Sequence, residues 1–350
     1  MAEIDSWPIE RRAALVIALP SLNFDVAALS PLLRSGAGAV LFLGGAPAPA
    51  DLRDRISTAA SGLDRATAPL VMADVEGGRV QRLRGVVAPF PWPRRLAATS
   101  SASSVQGVAN TVGKQMLASG VNVDLAPVLD LDDRPGPSAA NPDGLRSFSR
   151  DPHVTSRYGI AFMQGLRAAG VLPVLKHFPG IGESSGNTDY GPAATQPYGV
   201  LLAAGLRPFA DAIAAGAPAV MVSNASTPGL STEPASVSPA VIEDVLRRKL
   251  HFTGLVMTDS LSAGAIADAG YSVPQAAAAA IKAGADLVLF GSTLTPRETA
   301  LLSPTKVAQT RQAMIDAIAG AVRSGDLPPE RLDDALAHVL AAKGVDLCAP

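Results

Sequence analysis

A chain of 350 residues, 48% hydrophobic and 17% charged, can bury one large core or two ordinary ones, and this composition excludes global disorder. A formal net charge of −2, with no Lys/Arg cluster interleaved with aromatics, removes the electrostatic case for nucleic acid or an anionic membrane surface. One cysteine, Cys348, rules out a disulfide framework and a thiolate metal cluster, and four scattered histidines (His153, His177, His251, His338) offer no local zinc motif.

The chain opens Met1-Ala-Glu-Ile-Asp-Ser-Trp-Pro8, without the basic start and apolar run of a secretory signal. No stretch of about 18 apolar residues follows, so no membrane span is expected. The sequence reads as cytoplasmic, with a trimmed export leader left open. Short apolar runs then recur at residues 15–20, 39–44, 70–75, 121–128, 171–178, 219–225, 254–260 and 286–290. Most are rich in Val and Leu and lack in/out alternation, as parallel strands buried on both faces do.

Helical spacing fills the intervals. Residues 102–120 place Val105, Val108, Val112 and Met116 on one stripe. Ser238-Pro239 reads as a cap and first-turn proline opening a helix over 241–250, and an alanine-rich helix spans 275–282. Two further helices are expected over 305–323 and 329–343. Eight strand/helix alternations predict a single-domain (β/α)8 barrel over 1–350, with its core at about 7–344 and its active site at the C-terminal ends of the strands. A doubly wound open sheet is the competitor that periodicity alone does not separate.

The barrel reading predicts that polar residues expensive to bury gather at strand ends. Strand three ends in Asp74-Val-Glu76-Gly-Gly-Arg79-Val-Gln-Arg82, and strand four runs through Asp124 and Asp130 to Arg146-Ser-Phe148. Strand five, Pro173 to Phe178, delivers Lys176 and His177 before a Gly/Ser-rich loop that runs to Tyr190 and reads as mobile. Strand six ends in Ser223-Asn224, and strand seven in Thr258-Asp259-Ser260. Acids, guanidinia and amides at one mouth suit a polyhydroxylated ligand. Each also has a structural reading: an Asp74–Arg79 ion pair, an Arg146–Asp151 pair, Asp259 as a helix cap, His177 as a satisfied core histidine. Gly180-Ile-Gly182 lacks the dinucleotide spacing, and neither a Walker loop nor a G-x-S-x-G elbow occurs, so no cofactor and no metal is expected.

The motifs Asp74–Arg82, Asn122-Val-Asp-Leu-Ala-Pro-Val-Leu-Asp130, Arg146-Ser-Phe148, Lys176-His-Phe-Pro-Gly180 and Thr258-Asp259 stand in an order that resembles the family 3 glycoside hydrolases. The likeness is to the single-domain β-N-acetylglucosaminidases of bacterial cell-wall recycling, and runs from about Trp7 to Gly344. It implies retaining hydrolysis of a saccharide with Asp259 as nucleophile, and a −1 subsite built from Asp74, Arg82, Arg146, Lys176 and His177.

The chain departs from that family in the loop after strand five. There the relatives read roughly Lys-His-Phe-Pro-Gly-His-Gly-Asp-Thr and then Asp-Ser-His, the last Asp/His pair being the general acid/base. This chain has Ile181 for the first histidine, Glu183 for the aspartate after it, and Asn187 and Asp189 for the dyad. Asn224 also stands where a histidine is often found. Asp189 or Glu183 is then the expected proton donor, about 5–5.5 Å from the nucleophile. An impaired, sugar-binding homologue, a changed sugar preference and transfer to phosphate are the alternatives; oligomeric state is left open.

Overall fold

The computed structural model describes residues 6–345; Cys348 lies outside the described residues. All eight apolar runs form strands: β1 (Ile17–Leu22), β2 (Ala39–Leu43), β3 (Leu70–Ala73), β4 (Val123–Asp124), β5 (Leu172–Phe178), β6 (Ala219–Val222), β7 (Leu255–Ser260) and β8 (Leu287–Leu289). They pair in parallel and in sequence order, and the sheet closes on itself through Ile17 opposite Val288 and Ala18 opposite Leu289. An open doubly wound sheet has no such first-to-last pairing, so the competitor falls. The strands are apolar throughout because helices cover their outer faces while their own side chains fill the interior.

β4 is much shorter than the apolar run that contains it. Pro127 has no N–H to give, so the ladder breaks, yet the chain stays alongside β5 through Val174 N to Ala126 O (3.0 Å), Lys176 N to Pro127 O (3.2 Å) and Leu129 N to Lys176 O (2.7 Å). That irregular run carries residues 124–130 up to the mouth. After β3, an antiparallel ribbon of Val75–Gly77 and Val80–Gln81 turns the chain over the same rim. Gly78, at its turn, has φ +58°, and a Cβ there would lie 2.0 Å from the Trp92 ring.

The helix over 102–120 is found at Ala102–Ala118, with Ser101 capping it through Ser104 N (3.1 Å). Its buried stripe is Val105, Ala109, Val112 and Met116; Val108 is only half-buried, one position off the expected face. It packs against Pro152–Ala169, where a Cβ on Gly165 would come within 2.3 Å of the Gln106 carbonyl oxygen. The helix opened by Ser238-Pro239 spans Ala240–Lys249 and is wound with π-type bonds. No side chain caps it: the Ser238 carbonyl, and not its hydroxyl, takes the first N–H groups, from Val241 and Ile242 (3.1 Å each). The remaining helices fall at Val273–Lys282, Pro304–Ser324 and Pro329–Ala342. Among the described residues no helix is long and apolar enough to cross a membrane.

Candidate active site

Position alternation puts Asp74 and Glu76 on one side of the chain leaving β3, and Lys176 comes up from β5 to meet both. Its Nζ lies 2.6 Å from Asp74 Oδ1 and 2.6 Å from Glu76 Oε1. Arg146 clamps the same glutamate in a two-point fork, Nε to Oε2 and Nη2 to Oε1 at 2.8 Å each. Glu76 and Lys176 are buried, and Asp74 and Arg146 are partly buried. Arg146 and Lys176 hold the Glu76 carboxyl far below the usual range despite its desolvation, and Asp74 and Glu76 likewise hold the Lys176 ammonium above its ordinary value. Asp74 pairs with Lys176 and not with Arg79, and Arg146 pairs with Glu76 and not with Asp151, which instead caps the helix Pro152–Ala169.

His177 Nδ1 is 2.7 Å from Asp130 Oδ2, and the same carboxylate accepts from Ile181 N (2.8 Å). Burial beside Arg146 and Lys176 pulls the imidazole down to about 4, so it is neutral near pH 7. With the proton on Nδ1, its Nε2 is free to accept from Arg146 Nη2 at 3.3 Å. Asp143 lies behind this pair, fully buried, with neither carboxyl oxygen hydrogen-bonded. Burial and the charge of Asp130 push it well above the carboxylate range. Ligand atoms of Asp130, Asp143 and His177 lie within 4.8 Å of one another, but the adjacent guanidinium of Arg146 opposes a cation there.

These groups open into a pocket of about 360 Å³ at the C-terminal end of the barrel. Leu41, Leu43, Leu125, Met221 and Leu289 form its apolar floor; Asp74, Glu76, Arg82, Arg146, Lys176, His177, Asp189 and Asp259 line it. Asp259 projects from β7, accepting from Ser260 N at 2.7 Å, so it faces the pocket and is no helix cap. Arg82 donates to Gly44 O (3.3 Å) and keeps a buried Nε with no partner, a donor suited to a ligand hydroxyl.

The loop expected to be mobile is strapped to the segment following β7 by Ala265 N to Thr188 O (2.9 Å) and Gly264 N to Asp189 O (3.1 Å). Asn187 turns the chain by accepting from Asp189 N at 3.0 Å. The Asp189 carboxyl thereby enters the pocket beside Asp259. Desolvation, then the charges of Asp259 and Glu298, push it up to about 7.

Two expected site residues sit elsewhere. Glu183, at φ +57°, lines a separate cavity of about 180 Å³ behind the loop, its Oε1 3.4 Å from Arg150 Nε. Asn224 is buried with its amide engaged at both ends: Nδ2 donates to Ser260 O and Oδ1 accepts from Ser236 Oγ, both at 2.7 Å. It braces the strand end that carries Asp259 and does not reach the pocket. Glu76 and Asp130 stand in the sequence motifs with no role assigned to them there. The signals were available: Glu76 lies two residues past Asp74 on a strand exit, and a buried His177 needs an acceptor.

Residues 32–342 match the family described as the glycosyl hydrolase family 3 N-terminal domain. Over 281 residues the chain is 36% identical to the beta-hexosaminidase LpqI of Mycobacterium tuberculosis, covering 78% of this chain and 68% of that protein. A glycosyl hydrolase of the same family from Mycobacterium smegmatis superposes with a TM-score of 0.85 at 34% identity, over 97% of this chain and 98% of that one. The beta-N-acetylhexosaminidase of Beutenbergia cavernae superposes at 0.83 with 31% identity, over 97% and 99%. With this barrel, this charged pocket and these relatives, the chain belongs to glycosyl hydrolase family 3 and is a glycosidase of the β-N-acetylhexosaminidase type.

Proposed function

We propose that the protein hydrolyses β-N-acetylglucosaminides of cell-wall origin with retention, using Asp259 as nucleophile and Asp189 as proton donor. The observation that carries the assignment is the Asp189 carboxyl, pushed up to about 7 in the same pocket as Asp259. Asp74 keeps one oxygen unpaired to accept a sugar hydroxyl, while Arg82 Nε and Lys176 donate. Asp259 attacks the anomeric carbon as the bond to the leaving oxygen breaks, and the Asp189 proton passes to that oxygen. Asp189, now ionised, takes a proton from water; the water oxygen attacks the same carbon and releases Asp259. Glu183 plays no part, because it lies outside the pocket. We place the reaction in the cytoplasm, a compartment that one cysteine in 350 residues suits; cell fractionation tests this.

The test is a panel of aryl glycosides (glucose, N-acetylglucosamine, xylose, arabinose), run with and without phosphate. Nitrophenol release is expected from the N-acetylglucosaminide and is abolished in Asp259→Ala. Asp189→Asn should slow natural glycosides by about 10²–10⁴-fold and activated aryl ones far less. Equal losses on both substrates would remove Asp189 from the role. Turnover only with phosphate would make the enzyme a phosphorylase, and sugar binding without turnover would make it a binding protein.

A further inference from the structure

The opposite end of the barrel holds a further cavity, of about 560 Å³. Its walls come from residues just ahead of β1, β2 and β3 and from the helix Pro304–Ser324, so it lies on the N-terminal face, away from the sugar pocket. Among the described residues the charged groups lining it are Arg11, Arg34 and Arg311 against a single acid, Glu10, and that acid is already paired with Arg323.

Arg311 is only 5% exposed. Its Nη2 donates to Ser35 O (3.2 Å) and Gly36 O (2.6 Å), at the end of the short helix Ser30–Arg34. Capping those carbonyls explains one nitrogen of the guanidinium. Among the described residues Nε is left buried without a partner, and no carboxylate offsets the desolvation that lowers the group's pKa. Arg34 is exposed and makes no ion pair among the described residues. Arg11 lies over the Trp7 ring at 4.0 Å; Asp64, whose charge Arg11 feels, is held by Thr67 through N (2.8 Å) and Oγ1 (2.7 Å). A buried cation with no counter-charge is expensive, and two more cations converge on the same space.

We propose that this cavity binds a small phosphate-bearing molecule, with Arg311 at its inner wall and Arg34 and Arg11 at its rim. Guanidinium groups match phosphate oxygens in planar, charge-assisted hydrogen bonds, and three of them suit a dianion better than a single carboxylate. The volume is that of a ligand pocket and exceeds what a bare phosphate needs, so a phosphorylated monosaccharide fits the space.

Calorimetric titration of the full chain tests this with four probes: inorganic phosphate, glucose 6-phosphate, glucose and succinate. Saturable binding of both phosphate compounds is expected, glucose 6-phosphate the tighter, with none for glucose and weaker binding for succinate. Arg34→Glu and Arg11→Glu, at exposed positions that fold independently of the charge, should each weaken phosphate binding about tenfold or more. Hydrolysis of an aryl glycoside should be unchanged in both variants. Saturating N-acetylglucosamine separates this cavity from the cations of the sugar pocket: it should leave phosphate binding intact. No binding at millimolar phosphate, an affinity in both variants equal to that of the unaltered protein, or displacement by the sugar would each overturn the proposal.

Discussion

Glu76 is the hinge of the pocket's charge balance, since Arg146 bonds to both of its oxygens and Lys176 is shared between it and Asp74. Replacing it by Gln leaves Arg146 with no bonded carboxylate and Lys176 with Asp74 alone. Urea unfolding should show Glu76→Gln destabilised by about 3–5 kcal/mol. Its carboxyl pKa is depressed, so its contribution is present above the unfolded value and lost as pH falls through the folded one, under strongly acidic conditions only. Asp143 has the opposite sign. Its raised pKa makes the folded state bind a proton more tightly, so that stabilisation is complete below the unfolded value and lost as pH rises through the folded one. Asp143→Asn, which keeps the shape of the side chain and removes the titration, should flatten that dependence and retain activity; Asp143→Ala, which leaves a cavity behind His177, should lose activity as well. For Asp189 the consequence is kinetic: kcat on natural glycosides should fall as pH rises above about 7, and Asp189→Asn should lack that limb. At this scale the sequence was half legible. Asp74, Lys176 and Asp259 stood out because charged side chains at strand exits demand partners. The choice between Glu183 and Asp189 was not legible: both sit in one polar loop, and a left-handed backbone at Glu183 together with the Asn187 turn decides which of them faces inward.

Elements were legible where burial alone dictates them and blurred where hydrogen bonding does. The apolar run over 121–128 marked a strand, but Pro127 cuts its ladder short, and that interruption is what lifts Asp130 to His177. The π-wound turns of Ala240–Lys249 leave no mark in a 3.6-residue pattern. The tight crossing of Ala102–Ala118 on Pro152–Ala169 rests on Gly165, a residue whose packing role shows only when its neighbour is known. Gly165→Ala should cost about 1–3 kcal/mol in thermal or urea unfolding while leaving KM unchanged, because the contact is remote from the pocket.

For the whole molecule, counting alternations was enough to give the architecture, since eight parallel strands with covering helices close most simply on themselves. Closure makes the last strand a structural neighbour of the first. A chain ended before β8 would expose the edges of β1 and β7 and should aggregate; a soluble monomer with an intact circular dichroism spectrum would contradict this. Closure also gives the molecule two mouths whose chemistry differs, a mixed-charge one at the strand exits and an arginine-lined one at the strand entries.

The two amide links from Gly264 and Ala265 to the chain at 188–189 have a kinetic corollary. They anchor Asp189 to the backbone that follows Asp259, so the spacing of the two carboxyls does not wait on a flap swinging shut. Turnover limited by bond breaking, and not by the escape of product past a gate, should then be insensitive to added glycerol or sucrose once viscosity alone is varied.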